Sequence, residues 1–112
     1  MKTLTNRAGT YSTGDEIADA VMDYSGALAE ERRTEVVDIP FVATSGVIRR
    51  VQILIGWRVE VNSVHHGGSP RELVDEELSG MLRRKAEAVR SPSGDTPFTD
   101  DDIARFFGAS DY

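Results

Sequence analysis

The chain has 112 residues, 39% of them hydrophobic and 29% charged, which fits one folded unit and leaves no material for a second core. There is no cysteine, so disulfide scaffolds, thiolate zinc sites, iron–sulfur clusters and cysteine nucleophiles are all excluded. The formal charge of −6 and a pI near 4.8 oppose general nucleic-acid binding through counterion release.

Residues 1–12 are polar and aperiodic, and a frayed N-terminus is expected there. Met1 to Asn6 carries no apolar core of a secretory signal. The longest nearly apolar stretch, Val51 to Trp57, is far short of the ~20 residues a membrane span needs. A cytoplasmic protein without membrane contact is the expectation. A single α+β domain is read over residues 13–90. It opens with Thr13-Gly14-Asp15-Glu16, which has the form of a capping box, the Thr13 hydroxyl accepting from the Glu16 amide. Behind it Ile17, Val21, Tyr24 and Leu28 recur at helical spacing, so an amphipathic helix is predicted.

From Glu35 the period changes to two. Val37, Ile39, Phe41 and Ala43 share one face, and the apolar positions from Val47 to Val61 are all odd-numbered. A three-residue loop Thr44-Ser45-Gly46 pairs Ile39 with Val51 and Val37 with Ile53, with Gly46 in the left-handed position such a hairpin requires. A second loop, Gly56-Trp57-Arg58, pairs Ile55 with Val59 and Ile53 with Val61. The prediction is a three-stranded antiparallel meander. Pro40, which cannot donate to a ladder, makes its first strand an edge and its second the centre. Ser69-Pro70-Arg71-Glu72 then opens a second amphipathic helix carrying Leu73, Leu78, Leu82, Ala86 and Val89 to about Arg90. Residues 91–98 read as a linker, and residues 99–112 as a tail whose short helix carries Ile103, Phe106 and Phe107.

No catalytic set is assembled. The chain has no G-x-S-x-G and no phosphate-binding glycine motif, and Asp15, Asp19 and Asp23 read as a solvated helix face. His65 and His66 are the only histidines. Adjacent in extended backbone, they point to opposite faces, so neither a metal site nor any cofactor is predicted. With Gly67, Gly68, Ser69 and Arg71 they form a candidate anion or ligand loop before a helix start, the basis of an alternative reading as a small-ligand or metal-dependent enzyme. A third reading, weak binding of single-stranded nucleic acid, rests on Arg49, Arg50 and Arg58 with Trp57 or Phe41 for stacking. Interaction features weigh more. The even-numbered sheet face carries Val36, Pro40, Val42, Ile48 and Leu54 among Asp38, Arg50 and Gln52, and the tail adds Ile103, Phe106 and Phe107. The leading expectation is a non-catalytic interaction or regulatory module, self-associating as a homodimer or binding another protein.

Overall fold

The computed structural model describes residues 1–66 and 72–91. The Gly67, Gly68, Ser69 and Arg71 part of the ligand loop lies outside the described residues, as do Ile103, Phe106 and Phe107 with the rest of the tail. Elements follow in the order β1 (Lys2–Thr5), β2 (Thr10–Thr13), α1 (Asp15–Glu30), β3 (Thr34–Val42), β4 (Ile48–Gly56), β5 (Asn62–His65) and α2 (Glu76–Arg90). The class is α+β, but among the described residues the sheet has five strands, in the spatial order β4-β3-β2-β1-β5, and every pairing is antiparallel. A three-stranded meander is therefore not what forms.

The first hairpin of that expectation is present. Val37 faces Ile53 and Ile39 faces Val51, and Gly46 turns the chain at φ +89. The second is not. β5 pairs with β1, Thr3 facing Val64 and Leu4 facing Ser63. Parity within residues 47–61 is satisfied whether or not β4 folds back on the next strand, so local pattern does not choose between the two.

The N-terminus is not frayed. Lys2–Thr5 and Thr10–Thr13 form a hairpin whose turn is held by Asn6, its Oδ1 accepting from the Ala8 and Gly9 amides at 2.8 and 2.9 Å. β2 then meets β3 at Ser12 and Val42, which makes β3 an interior strand and β4 the edge. Pro40 is tolerated in β3 because its missing N–H points away from β4, on the side where β2 has already turned off into α1. Its carbonyl accepts from the Thr13 hydroxyl at 2.8 Å. That bond takes the hydroxyl the capping box required, and α1 begins at Gly14 with no side-chain cap. Gly14 is needed for space: a Cβ there would sit 1.7 Å from the Leu73 carbonyl oxygen, where the chain passes over the start of the helix.

One face of the sheet is covered. Leu4, Val37, Ile39, Ile53 and Ile55 pack on α1, which is buried on two sides because α2 lies against it. Ile17, Val21, Tyr24 and Leu28, the stripe read from sequence, are all in this core. Small residues such as Ala18, Ala27 and Ser25 widen the buried face of α1 beyond that stripe. α2 starts at Glu76, later than Pro70, with Asp75 as its cap accepting from the Leu78 amide at 3.0 Å. Leu78, Leu82, Ala86 and Val89 are its buried face.

Candidate docking face

Among the described residues, the other face of the sheet carries no helix. Alternation along β3 and β4 places Val36 beside Leu54, Asp38 beside Gln52, Pro40 beside Arg50 and Val42 beside Ile48 on this side. Val36, Ile48 and Leu54 are 55%, 58% and 47% exposed, and Val64 of β5 is 58% exposed. One residue away in the chain, Val37, Ile53 and Ile55 are buried. Side chains that could stabilise the fold are thus left in solvent, while equivalent ones opposite them are used.

Continuous pairing across five strands sets Val64, Thr3, Ser12, Val42 and Ile48 in one transverse row on the open face. Beside the Ser12–Val42 contact of β2 with β3, a shallow hollow of about 600 Å³ is lined by Thr3, Thr10, Ser12, Val42 and Arg49, with Phe41, Ala43 and Thr44. Between the apolar groups Arg50 Nε donates to Asp38 Oδ1 at 2.6 Å, so the charges on this face are matched locally. Of the four sheet residues expected to form an interaction surface, Val36 and Leu54 are open to solvent. Val42 is half-buried and Pro40 is buried, because the contact with β2 draws that end of β3 into the sheet. Val64 was not singled out by sequence. Its position in the row follows from the pairing of β5 with β1, which no local signal gives.

No match is found to a protein-family model, to a curated protein or to a solved structure, so only this chain's own residues bear on function.

The remaining candidates separate. His65 and His66 do point to opposite faces. His65 Nδ1 lies 3.6 Å from Asp15 Oδ1, while His66 Nε2 lies 3.3 Å from Ser12 Oγ on the open side. Among the described residues, no carboxylate stands within ion-pair distance of His66 to orient it, and no group of three or more histidines and carboxylates converges as metal ligands. Asp15 is engaged elsewhere. The ammonium of Met1 reaches its Oδ1 at 3.0 Å and Glu72 Oε1 at 2.9 Å, and the second Glu72 oxygen accepts from the Asp15 amide. The hydrogen bonds to Glu72 and then Asp15 raise the ammonium pKa above its usual 8.0. Its bond in return lowers both carboxyl groups below the usual carboxylate range. This clasp ties the first strand, the start of α1 and the segment before α2 together.

The stacking residues of the nucleic-acid reading are also taken. Phe41 packs edge-on against Tyr11, with ring centroids 5.4 Å apart. Trp57 has the guanidinium groups of Arg32 and Arg58 over its ring at 5.6 and 5.5 Å. Both arginines have left-handed backbone, φ +57 and +61. Arg32 closes the C-terminal turn of α1, where Arg33 N–H reaches back to the Leu28 carbonyl at 2.9 Å. Among the described residues no helix is long and apolar enough to cross a membrane.

Proposed function

We propose that this chain is a non-catalytic protein-interaction module that self-associates through the open side of its sheet. The observation that carries this reading is the set Val36, Ile48, Leu54 and Val64, each about half exposed on a single face that no element of the chain covers among the described residues. Asp38 and Arg50, the charges set among these apolar residues on β3 and β4, neutralise each other, which supports docking over catalysis. Sedimentation of the full chain against concentration tests it, with Leu54→Glu as the variant. A charge at Leu54 should shift the protein toward monomer and leave the thermal melt of the monomer unchanged. Self-association equal to wild type in Leu54→Glu would remove the open side from the contact and end this reading.

A further inference from the structure

Strand β4 has one paired row of backbone groups and one unpaired row. At one end of the hairpin the Ala43 amide donates to the Val47 carbonyl, and at the other the Trp57 amide donates to the Arg33 carbonyl, both at 2.8 Å. These bonds fix the parity: odd-numbered residues of β4 bond to β3, and even-numbered ones face away from it. At Gly56 the outward amide is taken by Ser25 Oγ of α1 at 3.2 Å. The groups of Ile48, Arg50, Gln52 and Leu54 therefore form an edge with no strand beside it among the described residues. Proteins that keep such edges single shorten them, bulge them, or place proline or charge in them; Arg50, the one charge among the four outward residues, is already paired with Asp38. β5, at the opposite edge, has four residues; β4 has nine, with no proline and an unbroken register along β3.

We infer that β4 pairs antiparallel with β4 of a second copy, across a two-fold axis at Val51, an inference that rests on the self-associating module proposed above. The four free residues are centred on position 51. One antiparallel register pairs all of them: Ile48 against Leu54 of the second copy, and Arg50 against its Gln52. The two-fold axis repeats each of these pairs once, and each exchanges two hydrogen bonds, about eight in total. The side chains favour the same register. Ile48 meets Leu54, apolar against apolar, and Arg50 meets Gln52 while keeping its own ion pair with Asp38. A slip of one step sets Arg50 against Arg50, and a slip the other way sets Arg50 against Leu54. Both are penalised, by like charge or by mismatch. The two open faces then join. Val36 and Leu54 of one copy continue into Ile48 and Val42 of the other, four apolar side chains in line across the junction.

The test uses the full chain, which has no cysteine of its own. Opposed residues at a non-hydrogen-bonded antiparallel pair have Cα atoms about 4.5 Å apart, within disulfide reach, so mild oxidation should link Val51→Cys into dimers. Gln52→Cys, whose counterpart is displaced along the strand, should link at least about tenfold more slowly. Gln52→Pro removes only an outward amide and should give a monomer, whereas wild type sediments at twice 12.3 kDa. A wild-type chain that stays monomeric at about 1 mM overturns both this inference and the self-association beneath it. A dimer that links equally through both cysteines overturns the β4 pairing alone and leaves another part of the open face as the contact. The cysteine comparison decides the register even where the proline variant fails to fold.

Discussion

Val37 and Ile53 face each other across β3 and β4, and so do their chain neighbours Val36 and Leu54. The first pair is 5% and 3% exposed, the second 55% and 47%. Both pairs are aliphatic and share one ladder, so the difference comes from what lies above each face: α1 on one side and, among the described residues, no element on the other. Folding makes use of one face. Apolar residues kept on the second face contribute little to the monomer, and these are the side chains the docking proposed above would bury.

Substitutions one residue apart sharpen this contrast. Ile53→Ala should cost about 2–5 kcal/mol in urea unfolding, because α1 and the sheet cannot fully close on the space. Leu54→Ala should stay within about 0.5 kcal/mol in dilute solution, and its effect should appear in sedimentation instead. Next in size, Thr13→Val should lose about 1–3 kcal/mol. It keeps the shape of a fully buried side chain but leaves the Pro40 carbonyl without its donor. Ser12→Ala, its neighbour on the open side, should be neutral within about 0.5 kcal/mol.

The covered side also carries a pH signature. Burial, and then the hydrogen bond to Glu35 at 2.7 Å, push the Tyr24 phenol up to about 12 from 10.0. Its stabilisation is complete below pH 10 and lost as pH rises toward 12, since the unfolded chain ionises first. Thermal melts through that interval should fall steeply for wild type and less steeply for Tyr24→Phe. The smallest effect belongs to the open face: Asp38→Asn breaks an exposed ion pair and should cost less than about 1 kcal/mol, a difference that added salt should abolish. A large loss there would mean that the open face supports the monomer after all.

Sequence legibility divides along similar physical lines. The β3–β4 register could be read because a period of two, a three-residue loop and a left-handed Gly46 agree within twenty residues. β1 and β2 escaped notice because four-residue strands such as Lys2–Thr5 hold too few apolar positions to show alternation. The usable signals were the threonines, the shared parity of Tyr11 and Thr13, and the turn-forming Asn6. At the start of α2 two cap signals compete. Glu72, part of the first, is drawn to the Met1 ammonium and the Asp15 amide, and Asp75 is left to cap. For the docking face, Val36 and Leu54 follow from parity, whereas Val64 depends on a partner strand sixty residues away.

That distance has a consequence during synthesis. β1 lies between β2 and β5, and Asn62–His65 is made long after Lys2–Thr5. At ribosomal speeds of about 5–20 residues per second, the interval is roughly 3–12 s, far longer than a hairpin takes to form. Until then β1 has only β2 beside it, and a two-stranded hairpin alone is marginally stable at best in water. β1 is thus completed only when β5 arrives, so one whole row of its backbone groups waits for a segment some sixty residues later in the chain.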